Sequence, residues 1–385
     1  MAPDPYGGRL INRILSGPDL ERKREEARLL PSISPLIDHI YDTEKICTGA
    51  YSPLEGFMSR EDFVHVLESG RLSNGLPWTM PIFLSPAGKQ NAAVIDAAGP
   101  SDTVAISDAS GNPFALITID EKYSLPKHDV ARKVYGTTDV AHPNVSDLSQ
   151  MGDTCISGKV ELLNRLGHTK FEYTPQETRE LFRQRGWKNV AGYQARNPPH
   201  TAHEYIQRAT LERDDIDALF IQPVIGKLKK GDYRAEVIMD AYDAFVSNYY
   251  RPDRTLLASL SIAMRYAGPK AVIFYAIIRR NYGCSHYIVG RDQAGVGNYY
   301  DPYGGHRIFD EFDVGVIPLR YEETFYCRAC SGMASTKLCP HGAEFHQSTS
   351  QTGIRKALAE GKPLPSEILR PEVARILRRG DVINE

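Results

Sequence analysis

The stretch KNVAGYQARNPPHTAHEYIQRATLER (residues 188–213) joins a short apolar segment, a polar loop with two prolines and a longer amphipathic segment. KNVAGY is typical of a short buried strand, and HTAHEYIQRATLER is typical of a helix. The sequence therefore predicts a strand–loop–helix unit, which is the repeating element of an α/β sheet.

The alternation of strand and helix continues on both sides of this unit, from about residue 169 to 320. TPQETRELFRQRGW has a threonine cap and a helical period. IDALFIQPV, TLLASL, SHYIVG and VGVIPL are predicted strands, and YRAEVIMDAYDAFVSNYY and GPKAVIFYAIIRRNY are predicted helices. Strands and helices in turn predict a parallel, doubly wound sheet.

The first 168 residues have a different sequence pattern. Turn signals such as YSPLEGFM, SNGLPW and DASGNP separate short apolar runs. Three of these runs are TMPIFL (79–84), AAVIDAA (92–98) and PFALITI (113–119). Short runs between Gly, Pro and Asn predict a small β-rich domain.

The composition excludes several classes of function. A formal net charge of −2 over 385 residues argues against a nucleic-acid or membrane-surface partner, which would need a basic excess. We find no apolar run near the roughly 20 residues of a membrane span and no signal-peptide pattern at the N-terminus. We therefore expect a cytoplasmic protein with neither a membrane nor a nucleic acid as partner.

The polar loop holds more donors than a helix start requires. Gln194, Arg196 and Asn197 lie in the loop, and His200 and His203 lie where the helix begins. Histidines at i and i+3 face the same way and can carry positive charge, and a helix start itself attracts an anion. The alternatives are a solvated helix start capped by Asn197, or a metal-binding histidine pair that lacks an evident third ligand.

Two other loops follow predicted strands. In GRDQAG (290–295), Arg291 comes directly after the strand, where its guanidinium would be held at the sheet edge and could grip a tetrahedral oxyanion. The loop after IDALFIQPV is basic, with Lys227, Lys229, Lys230 and Arg234. Either loop alone could be a flexible turn or a solvated face. Three such loops at strand ends favour a polyphosphate site, and the chain has neither a GxxxxGK[ST] P-loop nor a GxSxG elbow.

These motifs resemble those of the ATP sulfurylase (sulfate adenylyltransferase) family. Q-x-R-N-P-x-H-x-x-H is present at 194–203 and G-R-D-x-A-G at 290–295, in the order and spacing of the family. YSPLEGFM (51–58), MRYAGPKAVIFYAIIRRNYGCSH (264–286) and GMAS (332–335) also match. The resemblance covers nearly the whole chain.

The resemblance implies three domains and one reaction. The domains are a PUA-like β-rich domain (1–168), a Rossmann-like nucleotidyltransferase domain (169–320) and a small C-terminal domain (321–385). The reaction transfers AMP from MgATP to sulfate, giving adenosine 5′-phosphosulfate and pyrophosphate, and it can also run toward ATP. Family members of this length are often homodimers, so a homodimer is expected. The alternatives are a nucleotidyltransferase with another acceptor, such as a mononucleotide, and a non-catalytic binding module.

The resemblance also implies roles for individual residues. Gln194, Arg196, Arg291 and the backbone near Ala294 would hold sulfate. His200 and His203 would hold the ATP phosphates and stabilise the leaving pyrophosphate, while Asn197 would reach the α-phosphate. The other implied substrate-binding positions are Ala195, Gly290, Asp292 and Gln293. A mobile phosphate-side loop would contain Lys227, Lys230 and Asp232.

This chain departs from the family pattern at three positions. Gln293 stands where many members have His, Ala195 where many have Thr, and Gln351 where a glycine is common in the segment SQTGIR. None of these changes removes an essential charge from the two main loops.

A cysteine cluster near the C-terminus predicts a metal site. Cys327, Cys330 and Cys339 supply three thiolates, and a tetrahedral zinc site needs one more ligand. His346 is preferred because it has more loop to move on, and His341, which follows Pro340, is the alternative. Three unligated thiols are the remaining possibility. A closed site of this kind would be structural, so we expect Zn²⁺ to organise the tail. The resemblance separately implies Mg²⁺, which would act with ATP.

Overall fold

The structure is a computed structural model that describes residues 2–167, 169–349, 351–362 and 364–384. The side chains of residues 351, 352 and 359 are not described, so the departure at Gln351 lies outside the described residues. His168, the last residue of the predicted first domain, and Ser350, the first residue of SQTGIR, also lie outside them.

The N-terminal part is a five-stranded mixed sheet surrounded by helices. Its strands have the order β1-β3-β4-β5-β2, with β1 and β3 parallel and the other pairs antiparallel. The strands are β1 (Ser32–Ile33), β2 (Gly56–Phe57), β3 (Thr103–Ser107), β4 (Pro113–Ser124) and β5 (Thr154–Leu162). The helices are α1 (Gly17–Ala27), α2 (Ile37–Cys47), α3 (Arg60–Ser69), α4 (Lys89–Ala97), α5 (Lys127–Val134) and α6 (Pro143–Ser149). A 3-10 helix (Tyr6–Gly8) precedes them.

Two of the three apolar runs do not form the strands that the sequence analysis predicted. AAVIDAA lies largely in α4, where Asn91 and Ile95 are buried four residues apart, and Ala98 is buried just after the helix ends. Its alanines favour a helix. TMPIFL is buried throughout but contributes only an isolated bridge from Leu84 to Ile156, since Pro81 cannot donate to a strand ladder. PFALITI does form a strand, within β4.

The central part is the predicted parallel sheet. Its order is β10-β9-β6-β7-β8, and every neighbouring pair is parallel. The strands are β6 (Val190–Tyr193), β7 (Ala218–Ile221), β8 (Thr255–Leu257), β9 (His286–Val289) and β10 (Ile317–Arg320). The helices are α7 (Pro175–Gln184), α8 (Thr201–Leu211), α9 (Ala235–Tyr249), α10 (Pro269–Asn281) and α11 (Gly304–Arg307), and a 3-10 helix (Ile308–Asp310) follows. The predicted threonine cap is present at Thr174, which forms a capping box with Glu177.

Both faces of this sheet are covered, as a doubly wound fold requires. Val190 and Tyr287 belong to a core shared with α7, α10 and the N-terminal part. Ala191 and Ile288, their neighbours along the strands, belong to a second core with α8 and α9. Because successive strand residues face opposite sides, this alternation shows a sheet buried on both faces.

The C-terminal part contains a small antiparallel sheet and two helices. β11 (Thr324–Cys327) lies between β12 (Gly332–Ser335) and β13 (His346–Gln347), and a 3-10 helix (Ala343–Phe345) precedes β13. The helices are α12 (Gln351–Ala359) and α13 (Pro371–Leu377). Residues of α13 belong to the same core as those of α9, so the tail packs on the second face of the central sheet.

No helix among the described residues combines the length and the apolar character that crossing a membrane requires.

A buried ion pair connects the N-terminal and central parts. Lys45 of α2 is 1% exposed, and its Nζ lies 2.8 Å from Glu44 Oε2 and 2.7 Å from Glu172 Oε1. Glu172 also accepts hydrogen bonds from Ser259 and Ser261. Because Glu172 belongs to the central part and Lys45 to the N-terminal part, their ion pair forms only while the two parts keep their relative position.

We expect Lys45→Met to destabilise the protein by about 3 kcal/mol or more, because it removes the buried cation that two buried carboxylates share. Urea and thermal unfolding measure the change. Lys159→Met is the matched control, since Lys159 is 61% exposed in its pair with Glu55 and should contribute less than about 1 kcal/mol. Equal, small effects for both variants would contradict this account of the domain contact.

Candidate active site

A cavity of about 360 Å³ opens at the carboxyl ends of β6 and β9. β7 and β8 lie on one side of β6, and β9 and β10 lie on the other. The strand order therefore reverses at β6, and open α/β sheets bind ligands at such a point. The cavity is lined by every predicted substrate residue of the two main loops: Gln194, Ala195, Arg196, Asn197, His200, His203, Gly290, Arg291, Asp292, Gln293 and Ala294.

The start of α8 is held in place by the C-terminal tail. His200 occupies the N-cap position with an extended backbone, and α8 begins at Thr201. The Thr201 amide donates to the Ile368 carbonyl at 2.9 Å, and its hydroxyl donates to the Glu367 carbonyl at 2.8 Å. The next amides of a helix start have no intrahelical acceptor, so they remain available to a ligand in the cavity.

His200 and His203 form a stacked pair. Their ring centroids are 3.7 Å apart with an interplanar angle of 23°. Burial lowers the pKa of His200 well below its usual value, with the nearby His203 as a second cause, and burial lowers the pKa of His203 to about 4. Both rings are therefore neutral near pH 7 in the ligand-free protein.

Each histidine of the pair has one ring nitrogen, Nδ1, that could still form a hydrogen bond. The Nδ1 atoms of both rings are buried and have no partner in the described part of the chain. Burial opposes protonation of either ring, and two stacked imidazolium rings would repel each other, so a nearby anion would favour protonation. The pair is therefore suited to respond to a polyphosphate.

Arg196 connects the two main loops. Its Nη1 donates to the Gly295 carbonyl at 3.1 Å, and its guanidinium lies over the Tyr266 ring, 5.1 Å from the centroid. Its Nε is buried and unpartnered among the residues that the structure describes. The guanidinium is thus oriented by a carbonyl and an aromatic ring. Within the described part of the chain it forms no ion pair, although the nearby charges of Arg196 and Arg291 lower the pKa of Asp292, which burial raises.

Gln293 organises the second loop. Its Oε1 accepts from the Gly290 amide at 3.1 Å, and its Nε2 donates to the Tyr287 hydroxyl at 2.5 Å. The Tyr287 hydroxyl in turn donates to Gln194 Oε1 at 3.3 Å. Gln293, noted as a departure from the family pattern, therefore serves as a link between the loops. Sequence reasoning missed Tyr287, whose only signal was its position within a buried strand.

Arg291 is less constrained than the sequence analysis expected. Its side chain is 46% exposed, and its Nε lies 3.7 Å from Glu323 Oε2. The prediction that the sheet edge holds its guanidinium is therefore wrong for the ligand-free protein. Glu322 and Glu323, which the sequence analysis did not single out, also line the cavity.

The predicted phosphate-side loop does not line this cavity. Lys227 Nζ lies 2.8 Å from both Asp38 Oδ2 and Asp147 Oδ1 in the N-terminal part, so its charge is already paired. Lys230 lies at a separate cavity beside the tail. Asp232 is buried and accepts from the Tyr266 hydroxyl at 3.1 Å, which places it behind the ring that supports Arg196.

Arg355 joins this basic loop to the site, although sequence reasoning had not assigned it a role. Its Nη2 donates to Asn197 Oδ1 at 2.9 Å, and its Nη1 donates to the Gly231 carbonyl at 3.1 Å. With Oδ1 occupied, Asn197 still has its Nδ2 group to donate to a ligand.

The cysteine cluster includes His341. Its Nδ1 lies 3.6 Å from Cys327 Sγ, 3.2 Å from Cys330 Sγ and 3.7 Å from Cys339 Sγ. Metal–sulfur bonds of about 2.3 Å and metal–nitrogen bonds of about 2.0 Å in a tetrahedron place ligand atoms roughly 3.5–3.8 Å apart. The four residues therefore fit a tetrahedral metal site.

The preference for His346 as the fourth ligand is corrected by the structure. His346 pairs with Cys327 across β11 and β13, and its ring stacks on Phe325 with a centroid distance of 3.6 Å. The short Cys339–Pro340–His341 connection brings the His341 ring to the thiols.

Comparison with known proteins agrees with this architecture. The ATP-sulfurylase family model matches residues 169–380, and the PUA-like domain model matches residues 3–165. A sulfate adenylyltransferase of Chloroflexus aurantiacus is 45% identical, covering 98% of this chain and 96% of its own length. One from Pyrococcus abyssi is 42% identical and covers 99% of both chains.

A solved structure shares the fold over nearly the whole chain. The structure described as hexameric APS kinase from Thiobacillus denitrificans superposes with a TM-score of 0.77 at 25% identity. The match covers 98% of this chain and 68% of that chain.

The lowered pKa of His203 predicts a pH-dependent stability. Because its folded-state pKa of about 4 lies below the usual 6.5, the unfolded chain binds more protons between these values, and stability falls as the pH is lowered through this window. Wild-type protein should lose about 2 kcal/mol more than His203→Asn between pH 7.5 and 4.5, since the partly open cavity weakens the full effect. Urea unfolding of the ligand-free protein measures this.

His128→Asn is the control for this measurement, because the His128 side chain is 76% exposed and its removal should leave the pH dependence unchanged. An identical pH dependence in wild type and His203→Asn would show that burial does not hold His203 neutral.

Proposed function

The chain belongs to the ATP-sulfurylase family and catalyses the transfer of AMP from ATP to sulfate, and from this premise we propose which of its residues carry out each part of the reaction. The products are adenosine 5′-phosphosulfate and pyrophosphate. The reaction is reversible, and because the sulfate–phosphate anhydride is a high-energy bond, its equilibrium favours ATP and sulfate.

The chemistry demands positioning more than proton transfer. A sulfate oxygen attacks the α-phosphorus in line while pyrophosphate leaves from the opposite side. Sulfate is fully ionised, so no general base is needed. The site must instead hold two anions close together and stabilise the charge that develops on the leaving group.

We assign the sulfate subsite to the region where the two loops meet. Arg196 and Gln194 contribute from the first loop, and Arg291 and the Ala294 backbone contribute from the second. The single observation that best supports this assignment is the placement of Arg196, which bonds to Gly295 yet keeps a buried Nε without a partner among the described residues. The exposed Arg291 would complete the subsite by turning from Glu323 toward sulfate.

We assign the phosphate subsite to the start of α8. His200 and His203 receive the β- and γ-phosphates, and Asn197 donates to the α-phosphate through the amide group that Arg355 leaves free. Ala195, Gly290, Asp292 and Gln293 line the nucleotide. Mg²⁺ enters with ATP. Lys227, Lys230 and Asp232 would act on the phosphates only if their loop left its present contacts.

Three further parts of the proposal concern organisation. The chain is divided into domains 1–168, 169–320 and 321–385, and it functions in the cytoplasm, where ATP is available. It forms a homodimer, which sedimentation velocity would distinguish from a hexamer such as the one named for the Thiobacillus denitrificans structure.

The metal cluster is proposed as a structural zinc site. Cys327, Cys330, Cys339 and His341 would fill all four tetrahedral positions, leaving none for water or substrate. Zinc would hold the β11–β12 hairpin to the segment before β13, because this small sheet buries few apolar side chains.

The sulfate assignment predicts the effect of Arg196→Lys. The variant keeps the charge but loses the planar fork and the bond geometry to Gly295, so turnover should fall about 100-fold or more. Sulfate-dependent pyrophosphate release measures the turnover. The same assay on the wild-type protein, with a mononucleotide in place of sulfate, tests for another acceptor. Arg307→Lys, an exposed position 62% accessible, should retain wild-type rates. Wild-type turnover in Arg196→Lys would remove Arg196 from the site.

The zinc proposal predicts about one zinc per chain by elemental analysis. Cys330→Ser and His341→Ala should lose the metal and melt earlier, whereas His346→Ala should keep it, since His346 lies against Phe325. Turnover well below the melting temperature should persist in all three variants. Zinc retained in His341→Ala but lost in His346→Ala would reverse the ligand assignment.

A further inference from the structure

Arg279 is a fully buried cation with no carboxylate partner among the residues that the structure describes. It lies in the last turn of α10 and is 0% exposed. Its Nη2 donates to the Gln222 carbonyl at 2.9 Å, while its Nε and Nη1 have no partner among the residues described. By contrast, the buried Lys45 and Arg265 each contact a carboxylate.

The Arg279 side chain runs beneath the strands that carry the active-site loops. A Cβ atom on Gly192 of β6 would lie 2.7 Å from Arg279 Cγ, so glycine is needed at that position to admit the side chain. The guanidinium then reaches Gln222, just after β7. The Gln222 amide donates to the Tyr193 carbonyl at 2.9 Å, one residue before Gln194.

The charge of Arg279 acts on two buried tyrosines, Tyr275 and Tyr287, and shares the first of them with Arg196. Its guanidinium lies 5.8 Å from the centroid of the Tyr275 ring. Burial raises the pKa of Tyr275 to about 12, while the positive charges of Arg265, Arg279 and Arg196 lower it. Burial also raises the pKa of Tyr287, and among the charges around it Arg279 has the largest lowering effect. Since Tyr287 bonds to both loops, Arg279 lies close below the cavity.

An unpaired buried guanidinium is costly, because it loses hydration without gaining a counter-ion. A residue whose task was only to fill this space could be apolar. The cost is recovered when an anion enters the cavity above, since a charge in a buried, weakly screened position acts on a ligand over several ångströms.

We propose that Arg279 is a specificity-determining positioning residue of the sulfate subsite: an uncompensated cation beneath the carboxyl ends of β6, β7 and β9 that favours a dianion over a monoanion. This rests on the sulfate assignment made above. Arg279 does not touch the substrate. It acts through its charge and through its bond to Gln222, which steadies the strand end that leads into Gln194.

The alternative is a purely structural role. A buried water bridging Arg279 Nη1 to Gln222 Oε1, which is also buried and unpartnered within the described chain, would make Arg279 a strut between α10 and β7. The structural role and the electrostatic role predict different effects on anion binding when the charge of Arg279 is removed and its volume is kept.

The test compares sulfate with perchlorate, a tetrahedral monoanion, in Arg279→Met and Arg279→Gln. Met fills similar space, and Gln can still donate to the Gln222 carbonyl, but neither is charged. At saturating MgATP we expect the KM for sulfate to rise about tenfold and the competitive inhibition constant of perchlorate to rise about threefold, because the lost interaction scales with ligand charge. Melting temperatures should stay at or above that of the wild type.

Two further variants sharpen this comparison. Arg279→Lys keeps the charge, so its sulfate-to-perchlorate ratio should stay close to that of the wild type. Arg179→Met removes a cation of α7, where Arg179 donates to the carbonyls of Asn281, Arg280 and Pro3. It should melt earlier and leave the ratio unchanged.

Equal fold-changes in the KM for sulfate and the inhibition constant of perchlorate in Arg279→Gln would overturn the electrostatic role and support the structural one. The same conclusion would follow if Arg279→Lys changed the sulfate-to-perchlorate ratio as much as Arg279→Gln does. If Arg279→Met does not fold, Gln and Lys decide the question. Failure of the proposed function is visible separately, since the wild-type protein would then show no sulfate-dependent pyrophosphate release.

Discussion

The parallel pairing of β6 with β9 is the constraint on which the site depends. Gly192 lies opposite Tyr287 in this pair. β7 and β8 extend the sheet on one side of β6, and β9 and β10 extend it on the other, so the chain leaves the two central strands in opposite directions. The crevice between these exits is where the loops after Tyr193 and Val289 meet. A shift of one residue in the register would turn Tyr287 to the other face and break its bond to Gln194.

The cations nearest this crevice are held mainly by uncharged groups. Arg196 is oriented by a carbonyl and a tyrosine ring, and Arg279 by a single carbonyl. Lys45 and Lys227, which lie away from the cavity, are paired with carboxylates. A carboxylate beside Arg196 would compete with sulfate, whereas a carbonyl fixes its position and leaves its charge available. There are two exceptions. Arg355 Nη1 lies 3.7 Å from Asp232 Oδ1, and Arg291 is exposed beside Glu323 and so needs rearrangement before it binds an anion.

The sequence allowed the central sheet and both main loops to be predicted, because periodicity and motif spacing are local properties. Local patterns could not distinguish a helical alanine-rich run such as AAVIDAA from a strand, since this depends on which face is buried. The partners of Lys227 could not be predicted either, because Asp38 and Asp147 are distant in sequence. The choice between His341 and His346 depended on strand pairing: β13 directs His346 onto Phe325 and leaves His341 to the thiols.

In the proposed mechanism, the neutral state of the histidine pair matters because it affects bound ATP and the leaving pyrophosphate differently. If His200 and His203 were already charged, they would bind the phosphates of ATP strongly before reaction and contribute less to lowering the barrier. Burial keeps their pKa values low in the free protein, so protonation becomes favourable only as negative charge accumulates beside them. That charge is greatest on departing pyrophosphate, after the bond to the α-phosphorus has broken. In the proposed assignment, the burial that keeps the free histidines neutral would make their stabilisation of the leaving pyrophosphate larger than their stabilisation of bound ATP, and a reaction without a general base depends on such stabilisation.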